Sequence, residues 1–105
     1  MAKKYQKFQD YLVEKLQDPY EAKAFLDAAI EEYEEDGDTE AFMLALRYLT
    51  EAKGGFSKLS KATKLNRQNL YKVLTGKTSP TLETTFSIMN GLGYHLKAEP
   101  MGDHV

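Results

Sequence analysis

The fold of this chain is decided by residues 56–76, which read FSKLSKATKLNRQNLYKVLTG. Apolar residues recur at helical spacing on both sides of a three-residue turn, so the segment predicts two short helices, over 56–63 and 67–75. Asn66 is a typical N-cap for the second helix, and Gly76 is a typical residue to end it. Two short helices joined by a tight turn form a helix-turn-helix, whose second helix enters the major groove of DNA.

The side chains of this segment divide into a packing set and an outward set. The expected contacts between the two helices come from Leu59, Leu65, Leu70, Val73 and Leu74, with Ser60 as the small residue at the close approach. The predicted base-reading residues are Arg67, Gln68, Asn69, Tyr71 and Lys72. Arginine can bond guanine O6 and N7 with two donors, and glutamine or asparagine can bond adenine N6 and N7. The second helix therefore has the chemistry of a recognition helix.

The basic residues of the chain are concentrated around the same segment. Residues 1–50 carry a net charge of −6 and residues 51–105 carry +4, which together give the overall −2. Between Lys53 and Leu82 there are seven positive charges and no Asp or Glu. Such asymmetry indicates a polyanion-binding part and a separate acidic part. The expected phosphate contacts are Lys53, Lys58, Lys64 and Lys77, although a set of solvated lysines is the simpler alternative.

Length and composition exclude several other classes of protein. A chain of 105 residues with 42% apolar side chains fits one folded domain. No apolar run is long enough for a membrane span, and no secretory h-region follows the charged N-terminus, so a cytoplasmic protein without membrane contact is expected. With no cysteine and only His95 and His104, we expect no metal and no cofactor. No catalytic constellation or phosphate-binding loop is evident, so an enzyme is not expected.

The rest of the chain predicts a mainly α protein of five to six helices with a short C-terminal strand. Asp18-Pro19 and Asp38 are typical helix starts. Thr81 or Thr84 is expected to begin the last helix, with its inward face formed by Leu82, Phe86, Met89 and Leu92. Residues 94–98 alternate apolar and polar, as a strand does. We divide the chain into an N-terminal extension, 1–17, with no assigned function, and a single helical domain, 18–105, that contains the helix-turn-helix at 56–76.

The run from Leu59 to Leu74 resembles the helix-turn-helix of Xre/Cro-type repressors. More narrowly, the chain is similar to the probable addiction-module antidote proteins, which are HigA-like antitoxins. The resemblance covers about residues 18–98, and outside the helix-turn-helix it rests on Asp18-Pro19, Ala22, Ala28-Ala29, Asp38-Thr39-Glu40-Ala41-Phe42, Ala45-Leu46, Ala52-Lys53-Gly54-Gly55, Ser79-Pro80-Thr81-Leu82 and Leu92-Gly93. Two positions depart from the family pattern: Lys64 stands in the turn where glycine is usual, and Ser60 stands where alanine is usual.

The resemblance implies a fold, a function and two macromolecular partners. It implies a lambda-repressor-like helical fold and an antitoxin of a type II toxin–antitoxin module that represses its own operon. It implies a homodimer on double-stranded DNA with a palindromic operator, and a RelE/HigB-like RNase toxin that the protein neutralises. Two alternatives stay open: a stand-alone Xre-type transcriptional regulator, and a helical protein-binding adaptor without DNA binding.

Two further features are possible partner contacts. Acidic residues cluster where one predicted helix ends and the next begins, and we assign a partner-binding role to Glu31, Glu32, Glu34 and Glu35. A basic partner would be steered by such a surface, whereas a solvated face is the alternative. Tyr94 and Leu96 of the predicted strand would contact another chain through its exposed edge. That strand would alternatively pair within a homodimer or cover the core.

Overall fold

The computed structural model describes the backbone of residues 2–102 and the side chains of residues 7–102, so that His104 lies outside the described residues. Its six helices are α1 (Ala2–Lys15), α2 (Pro19–Asp36), α3 (Thr39–Ala52), α4 (Phe56–Thr63), α5 (Arg67–Leu74) and α6 (Leu82–Gly91). The mainly α prediction is confirmed. Among residues 2–102, none of these helices combines the length and the hydropathy needed to cross a membrane.

The starts of α2 and α3 are set by the aspartates predicted to cap them. The Asp18 carboxylate accepts from the backbone N–H of Tyr20 at 2.8 Å, and the Asp38 carboxylate accepts from that of Ala41 at 3.1 Å. Each bond satisfies a donor that the first helical turn leaves without a partner. Between the two helices Gly37 adopts the left-handed conformation, with φ +65°, and its N–H donates to a carbonyl of the last turn of α2 at 2.8 Å.

The core is built around α3, which packs against α1, α2, α4 and α5. Leu46 and Leu49 of this helix are completely buried. The hydroxyl of Thr50, also buried, donates to the Leu46 carbonyl at 2.8 Å, so it is not left unpaired. α1 lies on the same core and is followed by the buried Leu16. The division of the chain at residue 17 stays a prediction.

The predicted C-terminal strand is wrong, because no residue of the described range 2–102 lies in a strand. The N–H groups of Gly93 and Tyr94 instead donate to carbonyls at the end of α6, at 3.0 and 2.9 Å. A strand needs a neighbour to pair its N–H and C=O groups, and the described backbone offers none beside residues 94–98. Tyr94 is half-buried against the core and Leu96 is exposed. The partner contact assigned to these two residues through a strand edge is therefore wrong, because residues 94–98 form no strand.

The predicted orientation of α6 is correct for two residues and wrong for two. Met89 and Leu92 are buried, but Leu82 is 75% exposed and Phe86 is 42% exposed. The helix begins after Thr81, whose hydroxyl accepts from the N–H of the third helical residue at 3.0 Å. α6 carries two apolar stripes, and only the stripe that includes Met89 and Leu92 faces the core.

A glycine allows α6 to pack closely against α4. A Cβ atom placed on Gly91 would come within 3.0 Å of the side chains of Thr63 and Leu59, which is closer than real contacts allow. The absence of a side chain at Gly91 therefore sets the separation of the two helices. Since α4 also packs against α5, α6 supports the whole segment that the sequence singles out.

Candidate nucleic-acid interface

Helices α4 and α5, joined by residues 64–66, form a compact unit that we call the α4–α5 pair. Four of the five residues predicted to pack it are buried, Leu59, Leu70, Val73 and Leu74, and the fifth, Leu65, is half-buried. This packing prediction is confirmed. A further buried contact joins α5 to α3, so the position of α5 is fixed from two sides.

The turn of the α4–α5 pair is held by two hydroxyl groups of α4. The Ser60 hydroxyl donates to the Leu65 carbonyl. The Thr63 hydroxyl accepts from the Leu65 N–H at 3.1 Å and donates to the Leu59 carbonyl at 2.8 Å. The backbone N–H and C=O groups of Leu65 therefore both have hydrogen-bond partners within the α4–α5 pair. Serine in place of the family's alanine therefore adds a bond across the turn.

Lys64 occupies the left-handed conformation that glycine would adopt more easily. Its φ is +64°, and it is the one non-glycine residue of the described range with positive φ. Its N–H donates to the Ser60 carbonyl at 2.8 Å and so ends α4. The turn thus has the shape expected with glycine, and lysine accepts the strain at an exposed position.

All five predicted base-reading residues lie on the exposed side of α5. Arg67, Gln68, Asn69, Tyr71 and Lys72 are exposed, whereas the residues between and after them pack inward. Asn66 caps the helix: its side-chain oxygen accepts from the N–H of Gln68 at 2.7 Å and from that of Asn69 at 3.4 Å. The first turn of α5 therefore presents three polar side chains together to solvent. Their individual roles in base reading stay predictions.

An aromatic pair borders these polar residues. The rings of Phe56 and Tyr71 lie with centroids 5.9 Å apart and planes at 60°. Together with Arg67 and Gln68 they line a shallow apolar depression at the start of α5. Apolar side chains at such a place can contact the methyl group of thymine. No sequence pattern indicated a role for Phe56, because its contact with Tyr71 depends on the crossing of α4 and α5.

The four lysines predicted to contact phosphate fall into two groups. Lys64 lies in the turn, and the Lys77 ammonium lies 5.2 Å from the centroid of the Tyr71 ring, so both are next to α5. The Lys53 ammonium lies 5.2 Å from the Tyr94 ring, and Lys58 folds back over Gly54. These last two border a cleft between α4 and α6. We therefore expect Lys64 and Lys77, which lie next to α5, to act together with its exposed polar residues.

The acidic cluster lies at the end of α2 and the start of α3. Glu31, Glu32, Glu34 and Glu35 are all exposed. Among the side chains of residues 7–102, the ion pairs are Lys15–Glu21 at 3.5 Å and Lys23–Asp27 at 2.7 Å, so none involves this cluster. Of the four glutamates, Glu32 borders a groove between α2 and α3, which periodicity alone did not reveal.

Comparison with known proteins covers nearly the whole chain. A family model described as a probable addiction module antidote protein matches residues 5–100, and the match begins within α1, upstream of the residues that carry the resemblance. No curated protein and no solved structure matches significantly. The matched range includes the core, the α4–α5 pair and the acidic cluster. The chain therefore belongs to the family of probable addiction module antidote proteins.

Proposed function

We propose that this antidote protein is the antitoxin of a type II toxin–antitoxin module and binds its own operator DNA through α5. Acting in the cytoplasm, it represses its operon and neutralises a RelE/HigB-like RNase toxin. The observation that carries the DNA-binding part is the outward face of α5. There Arg67, Gln68 and Asn69 project together from a capped helix start, within a stretch that holds seven positive charges and no acid.

The dimensions of α5 favour recognition of a short half-site. Its eight residues correspond to a helix about 12 Å long, and only its early side chains reach base edges. Lys64 and Lys77, next to α5, would bind phosphates and set the register of the helix without reading sequence. The pair of Phe56 and Tyr71 would add apolar contacts.

A homodimer would give the affinity that one α5 lacks. Two copies on a palindromic operator would place their recognition helices about 34 Å apart, one turn of DNA. Exposed Leu82 and Phe86 on α6 offer an apolar surface for the second copy. Because α6 packs on α4, a dimer joined there would hold both α4–α5 pairs in a fixed relation. We expect Leu82→Lys with Phe86→Lys to yield monomers in sedimentation equilibrium, and an unchanged dimer would place the interface elsewhere.

The toxin part of the proposal rests on the family, since an antidote implies a toxin to neutralise. The acidic cluster at 31–40 supports it, because a negative surface steers a basic partner and raises the association rate. The separation of charge along the chain fits two partners of different kinds, a polyanion and a basic protein.

The test of DNA binding is fluorescence anisotropy with DNA from the gene's own promoter, a scrambled control and a salt series. We expect a preference of about 10³-fold or more for the promoter and a steep salt dependence. Arg67→Ala and Gln68→Ala should each weaken promoter binding by about 1–3 kcal/mol and relax sequence specificity. Lys77→Ala should weaken both sequences and reduce the salt slope by about one, whereas Lys15→Ala on α1 serves as a charge-matched control.

The remaining outcomes separate the alternatives. A double variant at Arg67 and Gln68 that binds the promoter at full strength would contradict the assignment of α5. Specific promoter binding without any toxin partner would favour the stand-alone regulator. Absence of DNA binding at low salt would favour the protein-binding adaptor, because lysine and arginine side chains bind DNA phosphates most tightly at low salt.

A further inference from the structure

A groove with an apolar floor runs between α2 and α3. The side chains on its floor are small and leave space between the helices. They are alanines, Ala28 and Ala29 on α2 and Ala41 and Ala45 on α3. Aromatic rings form its sides, and the rings of Tyr33 and Phe42 lie with centroids 5.7 Å apart. Tyr33 is 42% exposed although it sits on this apolar surface.

The size of the groove fits side chains of another protein better than a whole small ligand. Its volume is about 280 Å³, slightly below the lower limit of about 300 Å³ for small-molecule pockets. One or two large side chains from a partner would fill it. A partly exposed tyrosine at the side of a small pocket, as Tyr33 is here, is typical of the anchor points of protein interfaces.

The rim of the groove is acidic and its charges are held in place. Glu32, Asp36 and Asp38 line it, and no basic residue does. The Asp36 carboxylate accepts from the Asp38 N–H at 2.9 Å, and the Asp38 carboxylate caps α3, so both carboxylates stay at the groove edge. No Lys, Arg or His occurs between Lys23 and Arg47. A ligand for this surface must be apolar in the middle and cationic at its edges.

Stability does not explain this arrangement of charge. The C-terminal end of a helix carries partial negative charge, so acidic residues there are unfavourable. α2 has no basic residue in its last turn and ends in Glu-Glu-Asp, residues 34–36. Such a local conflict with helix electrostatics is expected where a binding surface is required.

We propose that the α2–α3 groove is the docking site for the toxin, and that it accepts a basic segment of that protein. An aromatic or leucine side chain of the segment packs on the alanine floor beside the Tyr33–Phe42 pair, and flanking Lys or Arg side chains pair with Glu32, Asp36 and Asp38. The inference rests on the proposed function, from which it takes the toxin as partner.

The experiment measures binding of the toxin encoded beside this gene to the immobilised full chain by biolayer interferometry. Ala28→Trp fills the groove from an exposed helix position. Glu32→Lys reverses a charge on the rim. Glu34→Lys makes the same change two residues further along α2, at a residue that does not line the groove. Promoter binding by each variant reports whether the fold and the DNA-binding function are intact.

We expect Ala28→Trp to raise Kd by about 30-fold and Glu32→Lys by about 10-fold, mainly through faster dissociation. Glu34→Lys should change Kd by less than about 3-fold, through slower association that disappears at high salt. Promoter binding should stay at the wild-type level for all three variants.

The outcomes that would overturn the proposal are distinct. Equal effects of Glu32→Lys and Glu34→Lys, or normal toxin binding by Ala28→Trp, would contradict the groove as the docking site. Either result would leave the toxin-neutralising function standing. No toxin binding by the wild-type chain would overturn both the groove and that function, and promoter binding would still test α5. Self-association that Ala28→Trp abolishes in sedimentation equilibrium, with toxin binding unchanged, would assign the groove to a second copy instead.

Discussion

Replacing Lys64 with glycine is expected to stabilise the fold and to weaken DNA binding at the same time. Lys64 has φ +64°, and a non-glycine residue in this region is strained by about 1–2 kcal/mol. Glycine removes the strain but increases the entropy of the unfolded chain, which is worth about 0.4–1 kcal/mol. The difference is a gain of about 0.5–1 kcal/mol in the free energy of unfolding.

Two assays separate the two effects of Lys64→Gly. Thermal unfolding followed by circular dichroism should show a rise in Tm of about 2–8 °C for a domain of this size. Anisotropy with promoter DNA should show weaker binding and a salt slope reduced by about one, because the side chain that would neutralise a phosphate is gone.

The matched control is Lys64→Ala, which removes the charge and keeps the strain. It should lose as much DNA affinity as Lys64→Gly, and it should not become more stable than the wild type. If the glycine variant is no more stable than the alanine variant, the left-handed strain assigned to this turn is refuted. If both bind DNA with an unchanged salt slope, Lys64 has no phosphate contact.

Three further changes test other parts of the structure. Gly91→Ala should lower the free energy of unfolding by about 1–3 kcal/mol in urea titration, because a methyl group would force α6 away from Thr63; normal stability would contradict the close packing. Glu35→Lys should raise stability by about 0.5–1 kcal/mol at low salt, since it favours the helix dipole and pairs with Glu31 one turn earlier, and the gain should shrink near 1 M salt. Burial raises the pKa of Tyr94 above its ordinary value of 10.0, so its contribution is present below that pH and is lost as the pH rises through the folded-state pKa. Tyr94→Phe should therefore show a smaller loss of stability than wild type between about pH 9 and 11, and an equal loss would contradict the burial effect.

The helix starts could be predicted because they depend on local chemistry. Asp18, Asp38 and Asn66 each accept a backbone N–H from the first turn that follows, as their positions in the sequence predict. The outward face of α5 was predictable for the same reason, because Leu70 and Leu74 mark its buried side. The candidate site on α5 therefore follows from spacing and residue type alone.

The errors occurred where structure depends on distant neighbours. Alternation over residues 94–98 resembles a strand, but a strand also requires a partner, which no pattern within five residues supplies. Leu82 and Phe86 have helical spacing with each other, yet α4 covers the opposite side of α6. The α2–α3 groove was not predictable, because its volume depends on how closely two helices approach.

Residues at and just after the start of α3 form a wall that two surface clefts share. Asp38, Ala41 and Leu44 line the α2–α3 groove and also a second cleft that closes against Leu74 and Gly76 at the end of α5. A molecule that displaces this wall would therefore act on the C-terminal end of α5. On the proposed function, thermodynamic reciprocity then requires equal factors: whatever a docked toxin does to operator affinity, the operator does to the affinity for the toxin. On the same proposal, toxin bound in the α2–α3 groove would change operator occupancy through α3.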